Sequence, residues 1–591
     1  MKFSTTAFVL LPFLQHALTS TVTYTFDFTW VTANPDGQLA RPVIGVNGNW
    51  PLPTISCAVG DQVVVYVNNK LGNESTGLHF HGLKQYRPPL PTLLYTEQEG
   101  LTFSRHGTSG YDGPPGVVQC PIPPGSSFQY SFTVEQPGTY WYHSHAAGQY
   151  PDGLRAPFIV SDPQNPYSGQ YDTELVLSMS DWYHDQMPGL LARYADPTQN
   201  PTGAEPIPYS ALLNDAQSIS LNVQPGKTYF LRTVNMAAFS QFYLHFDQHQ
   251  LTIIEIDGVY TKPKTVDSLY IANGQRYGVL LKTKPTASQN YAFLGSMDTT
   301  KYDRVPGYLK ENVTGNLVYS KTAPRAEMPV ISAFNVIDDF TLVPYDGMAL
   351  LSGAPNAQIV LNADFFLRDG QNRAGFNNVT YVPQKVPLLF TVFSAPAGLV
   401  QNPAIYGVNS NAFVVKQGDV VEVVINNYDA GSHPFHIHGH DVQLVARQPG
   451  VYNPPPHLKH PDQPNKSGHN GSANALGYTG NTATMPAVPM RRDTWLIAPN
   501  GYTVIRFTAD NPGVWFLHCH MDWHVEVGLA MTLVEAPQQL QQQQSINPAM
   551  ASICKAQGIP TTGNAAGNTQ NWLDLSNANT VASAQRGALY P

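Results

Sequence analysis

His-X-His recurs at 79/81, 143/145, 436/438, 438/440 and 518/520. With 19 histidines in 591 residues, chance would supply roughly 0.6 such pairs. In a strand, residues i and i+2 share a face, so each pair presents two imidazoles together, and imidazole is a common ligand for copper, zinc and iron. The pairs 79/81, 143/145, 436/438 and 518/520 together supply eight nitrogens. Cys519 stands between His518 and His520 and must point to the opposite face. One Cys with two His is the trigonal donor set of a blue-copper electron-transfer site. His433, three residues before His436, and His524, five after Cys519, are its natural partners. The chemistry implied is a one-electron oxidant at Cys519, joined by a short peptide path to a multi-metal cluster that collects four electrons and reduces O2 to water. The weak axial position falls about ten residues beyond the Cys, where the chain has Leu529 instead of Met. This predicts a three-coordinate copper of raised reduction potential, with Met521 and Met531 as packing residues.

Such pairs need strands to carry them. Charged residues make up 12 % of the chain, which holds 47 Gly, 50 Pro and 31 Tyr, a composition of short strands and many turns. Period-two runs at Gln62–Val67, Ser218–Val223 and Val420–Ile425 lie beside Gly60-Asp61, Pro225-Gly226 and Gly418-Asp419 turns. Pro137-Gly138-Thr139-Tyr140-Trp141 is matched by Pro512-Gly513-Val514-Trp515-Phe516. We expect an all-β chain of three similar β-sandwich units, over 21–162, 163–325 and 326–591, with a Gln-rich run at 538–544 opening the tail. The second unit has no His-X-His pair and is expected to space and orient the other two.

Residues 1–20 have a basic Lys2, an apolar run and small residues near position 20, and read as a secretory signal peptide. No later stretch is apolar enough to span a bilayer, so a secreted protein without a membrane anchor is expected. Sequons at Asn73, Asn312, Asn378, Asn465 and Asn470 fit glycosylation, and a glycosylated monomer is the default. The net charge of −9 argues against nucleic acid as a partner. Of Cys57, Cys120, Cys519 and Cys554, Cys519 is withheld for metal, which leaves one bridge and one odd thiol.

"HFHGLKQ", "GTYWYHSHAAGQYPDGL", "HPFHIHGH" and "HCHMDWH" resemble, in order, the four copper signatures of the multicopper oxidases, specifically the fungal laccase and iron-uptake ferroxidase branches. The resemblance implies three cupredoxin domains and four copper ions. It assigns His433, Cys519 and His524 to type 1 copper and His79 and His436 to type 2. His81, His143, His145, His438, His518 and His520 match the type 3 pair, and His440 is not a ligand. Asp112 and Asp522 match acids that assist proton delivery as O2 is split. The resemblance also pairs Cys120 with Cys554; Pro151 replaces the Cys of a second bridge found in some laccases, and Cys57 is expected to be a small buried thiol.

For the electron donor the resemblance points two ways. "NPTGAEPIP" is similar to a ferroxidase segment whose acid, here Glu205, helps bind Fe(II), and Asp298 and Tyr345 fall where that branch has functional residues. A further ferroxidase acid is expected before "IYG", where "FSAPAGLVQNPAIYG" has none, and the chain ends "VASAQRGALYP" without the C-terminal membrane helix usual in that branch. The acid by which many laccases take up a phenolic proton is also missing from "VNMAAFSQF", with His245 or His249 beyond it as substitutes. The expectation is a secreted laccase-like oxidase of phenols or aminophenols, with Fe(II) oxidation as the alternative and a copper-binding protein without turnover as the non-enzymatic one.

Between "HGLKQ" and "HGTSGYDGPP" the chain carries Tyr86 to Arg105, which the family pattern lacks. Removing them joins Gln85 to His106. A surface loop and a retained, translated intron compete, and we read the segment as the intron.

Overall fold

The computed structural model describes residues 20–85, 108–286, 288–328, 330–447, 478, 480 and 484–583. The expected signal peptide up to residue 19, Asn465, Asn470 and the segment Tyr86 to Arg105 lie outside the described residues.

The described chain is mostly strand, arranged as three pairs of sheets. In each pair one sheet is built around the unit's first long strand: Thr21–Ala33 pairs in parallel with Gln62–Asn69, Thr173–Trp182 with Thr228–Asn235, and Ala357–Arg368 with Val420–Asn427. Each opposing sheet has a short parallel edge strand, Ile55–Ala58, Ser220–Asn222 or Ala412–Val415. The repeat is therefore present in the strand order itself. One detail differs from the sequence reading, which set Ser218–Val223 beside Gln62–Val67 and Val420–Ile425. The turn at Pro225-Gly226 instead leads into Thr228–Asn235, the counterpart of those two strands, and Ser220–Asn222 is the edge strand before it.

Alternation explains the cores. In Gln62–Asn69 the side chains of Val63, Val65 and Val67 are fully buried and sit opposite Phe132, Tyr130 and Phe128 of the neighbouring strand, as a one-sided buried sheet requires. The Gln-rich run forms the helix Pro537–Gln543, and a second helix, Pro548–Ala556, carries Cys554. Cys554 is disulfide-bonded to Cys120 with Cα atoms 5.4 Å apart, tying the tail to the first unit. Cys57 is a free, buried thiol pushed up to about 12 by burial, chemically quiet at neutral pH.

Candidate metal centres

Four strands converge on the histidines: Leu78–His81, Gly138–Ser144, His433–Ile437 and Gly513–Cys519. His79 sits opposite His143 in one antiparallel pair, and His436 opposite His518 in the other. The alternate residues Phe80 and Tyr142 turn into the first unit's core, while Cys519 and Phe435 turn into the core shared by the second and third.

The eight imidazoles form overlapping groups whose ligand atoms lie within 4.8 Å of one another: His79, His81 and His436; His81, His143 and His520; His145, His438 and His518. His438 Nε2 is 3.2 Å and His145 Nε2 3.3 Å from His518 Nε2, and His81 Nδ1 is 3.1 Å from His520 Nε2. His79 Nε2, His143 Nε2 and His436 Nε2 are buried without a hydrogen-bond partner, an arrangement that costs free energy unless a cation occupies the space between them. Burial first, then the crowding of other imidazoles, lowers His81, His143, His145, His438, His518 and His520 well below the usual imidazole range. Neutral rings offer lone pairs, so the donor set fits metal ions that favour imidazole, copper among them.

The outward nitrogens of His79, His143, His438 and His518 are tied down, which fixes the tautomers of these rings. His79 Nδ1 donates to the Asp112 carbonyl at 2.7 Å, His143 Nδ1 to the Ser144 carbonyl and His518 Nδ1 to the Cys519 carbonyl, both at 2.9 Å. The Asp112 carboxylate accepts from His438 Nδ1 at 2.7 Å and lies 3.3 Å from His79 Nδ1. A second carboxylate, Asp493, lies 3.4 Å from both His81 Nε2 and His436 Nδ1. His440 faces away, 2.8 Å from Glu535.

On the other face of the same strand, Cys519 Sγ lies 3.3 Å from His524 Nδ1 and 3.8 Å from His433 Nδ1. Phe365 stacks on His433 and meets His524 edge-on. Leu529 is fully buried and Met521 and Met531 sit in the core. The far nitrogens reach acids: His524 Nε2 is 2.6 Å from Glu205, and His433 Nε2 is 3.0 Å from Asp429. Burial, with Glu205 and Asp429 near it, raises the Asp303 carboxyl above its usual range. Asp298 accepts from Tyr270 at 2.7 Å and from the Thr300 amide at 3.1 Å. Tyr345 is half-exposed and packs edge-on against Tyr167. His245 bonds to Ser268 and His249 to Tyr319, both inside the second unit.

The one-turn helix Asp522–Glu526 separates the two centres. His524 points to the Cys519 side. Asp522 and Glu526, four residues apart and so on one face, line a cavity of about 10 Å3 with His143, His145, His518 and His520, room for a single water. Asp522 Oδ2 and Glu526 Oε2 have no hydrogen-bond partner among the described residues. Burial pushes Glu526 up to about 7 and, with Glu526 beside it, raises Asp522 well above the carboxylate range.

Sequence reading missed Asp429, Asp493, Asp303 and Glu526. The first stands four residues before His433, on the turn that the strand's own histidine reaches back to. Asp493 lies in "RRDTW", which carries no spacing signal.

Paired cupredoxin-like sandwiches, in which one strand joins a centre of one cysteine and two histidines to an eight-histidine cluster, define a copper oxidase. Family profiles described as multicopper oxidase match residues 27–91 with 98–165, 173–322, and 381–539, and the chain belongs to that family. It is 47 % identical over 575 residues to the iron transport multicopper oxidase fetC of Epichloe festucae, covering 97 % of this chain and 85 % of the relative. It is 45 % identical over 576 residues to the iron transport multicopper oxidase FET3 of Gibberella zeae, with the same coverages. Among solved structures it resembles Fet3p, a multicopper oxidase that functions in iron import (TM-score 0.83, 39 % identity, 95 % of this chain and 98 % of that one). It also resembles a laccase from Botrytis aclada (TM-score 0.73, 28 % identity, 91 % of each). The protein is thus an oxidoreductase that carries four copper ions and uses O2 with a reducing substrate.

Proposed function

We propose that the reducing substrate is Fe(II), which reverses the preference for phenols drawn from sequence. The observation that carries this is the pair of carboxylates on the two imidazoles of the Cys519 centre, Glu205 on His524 and Asp429 on His433. Hard Fe(III) favours carboxylate oxygen, so acids placed here bind the metal and favour its oxidised form. The printed names of the relatives, iron transport multicopper oxidases, support the same reading.

In this reading His433, Cys519 and His524 hold type 1 copper, His79 and His436 type 2, and His81, His143, His145, His438, His518 and His520 the type 3 pair, the rings held in place by the bonds described above. When bound, the copper ions take up electrons singly and deliver four to O2. Glu205 bonds Fe(II) on one side and His524 on the other, giving a direct path inward. The backbone from Cys519 to His518 and His520 continues it to the cluster. Four Fe(II), one O2 and four protons yield four Fe(III) and two waters. Asp522 and Glu526 hold protons beside the cluster, and Asp112 orients His79 and His438.

We place the enzyme outside the cell: the Cys120–Cys554 bridge suits an oxidising compartment, and the sequons at Asn73, Asn312 and Asn378 are exposed. No helix among the described residues is long and apolar enough to cross a membrane.

The test is O2 uptake by copper-loaded protein with Fe(II) and with a panel of phenols and aminophenols, wild type beside Glu205→Ala. Losing a charged hydrogen-bonding ligand costs about 1.5–3 kcal/mol, so kcat/KM for Fe(II) should fall roughly tenfold to a hundredfold. Phenol turnover that exceeds Fe(II) turnover and ignores Glu205 would restore the laccase reading.

A further inference from the structure

The eight histidines come from the first and third units, yet the second unit also reaches them. Its turn between strands Ser268–Ile271 and Arg276–Lys282 brings Gly274, at φ +79°, so close that a Cβ there would lie 2.9 Å from His520 and 3.0 Å from His81. Gln275 Nε2 donates to the Thr494 carbonyl at 3.1 Å. Arg276 grips Asp493 with both terminal nitrogens, at 2.7 and 2.5 Å. Behind Arg276 the charges alternate: its amide donates to Asp257 at 2.8 Å, Asp257 accepts from Arg492 at 2.9 Å, and Arg492 reaches Asp339 at 2.5 Å. Arg276, Asp257, Arg492 and Asp493 are all buried. Burying such a chain is expensive, and apolar residues of similar volume commonly serve stability as well or better.

At the cluster end the bonds form a relay of orientation. Asp493 Oδ1 accepts the Thr494 hydroxyl hydrogen at 2.7 Å. With its hydrogen committed, the hydroxyl oxygen has two lone pairs left, and two imidazole nitrogens face it: His81 Nε2 at 3.2 Å and His436 Nδ1 at 3.1 Å. The Asp493 carbonyl also accepts from His436 Nδ1 at 3.0 Å. Both rings must therefore carry their proton on the Thr494 side. This leaves His81 to present Nδ1 inward and His436 to present Nε2, the latter one of the partnerless nitrogens. Asp112 makes the complementary contacts, to His79 and His438. Each carboxylate thus spans one histidine of the first unit and one of the third.

We propose that Asp493, clamped by Arg276 of the second unit and acting through the Thr494 hydroxyl, is the positioning residue that fixes the opposite tautomers of His81 and His436 and so holds the copper between His79 and His436. The second unit is then a component of the oxygen site as well as a spacer. The inference rests on the eight-histidine reading of that site and is independent of the electron donor.

Copper content, the type 2 copper EPR signal and the blue absorption of the Cys519 centre would be measured on copper-loaded wild type, Asp493→Asn, Thr494→Val and Thr494→Ser. In Asp493→Asn and Thr494→Val one copper per chain should be retained about 10–100-fold more weakly, with the type 2 signal lost or its hyperfine splitting changed and the blue band intact. Thr494→Ser, which keeps the hydroxyl, should match wild type. Four tightly held coppers with an unaltered type 2 signal in Thr494→Val would overturn the proposal. So would joint loss of the blue band and the type 2 signal in that variant, since it would mark a general structural role. Should Asp493→Asn fail to fold, the Thr494 pair decides. Wild type lacking the type 2 signal would overturn the eight-histidine reading, and this inference with it.

Discussion

The carbonyl oxygen of Gln85 accepts a hydrogen bond from the Thr108 amide at 3.0 Å, and the Thr108 hydroxyl donates to the Gln85 side chain at 2.8 Å across 23 positions of sequence. A chain lacking Tyr86 to Arg105 would run Gln85-His106-Gly107-Thr108, four residues whose first carbonyl and last amide are already bonded as a β-turn requires, with Gly at the third place. Deleting the segment should leave copper content, Tm and Fe(II) turnover unchanged. Peptide mass spectrometry of the protein from its native source should find Gln85 joined to His106; peptides within Tyr86 to Arg105 would sink the intron reading.

The pH profile should report the carboxyls beside the cluster. An acid whose value is raised donates its proton below that value and loses the ability above it, and burial places Glu526 at about 7. Under O2-limited conditions, turnover should therefore decline as pH rises through about 7. Positioned general acids contribute about 10²–10⁴; with Asp522 sharing the task, Glu526→Gln should cost roughly the lower figure below pH 7 and remove that limb of the profile. A wild-type profile flat from pH 6 to 8, by about a unit either side of 7, would count against Glu526 as a proton source.

Leu529→Met would offer a thioether to the Cys519 centre. Axial ligation tunes the potential of such sites, and the variant should have a lower one by redox titration of the blue band, with slower electron uptake from Fe(II). An unchanged potential would show that the Met side chain stays in the core.

Cys120→Ser should release the helix Pro548–Ala556 from the first unit. Removing a native disulfide typically costs about 2–5 kcal/mol, read as a fall in Tm and as early proteolysis of the tail, with the blue band retained in the cold.

Much of this was legible in the residues because period-two geometry is strict. Once His518 and His520 face one way, Cys519 cannot, and the structure places it with His433 and His524 on the far side. The repeat was legible from its turns, since Pro225-Gly226 does open the strand that matches Gln62–Asn69, although the run singled out before it proved to be an edge strand. What sequence could not give is what approaches from elsewhere in the chain. Asp493, Asp429 and Glu526 act through contacts whose partners lie on other elements or across a helix turn. An isolated Asp or Glu looks the same whether it bonds the amide of a following turn, as Asp298 does, or an imidazole of the Cys519 centre, as Glu205 does. Burial and partner identity distinguish them, and neither is local.

The oxygen site draws His79 and His143 from near one end of the described chain, His436 and His518 from near the other, and the Arg276 clamp from between. On the proposed ligand assignment, no single unit carries all the histidines of that site. If those histidines hold the copper, loading of that site would act as an inspection of the finished molecule: a truncated or half-docked polypeptide would have no complete socket to fill, and copper at the oxygen site would record that the units had been made, folded and brought together.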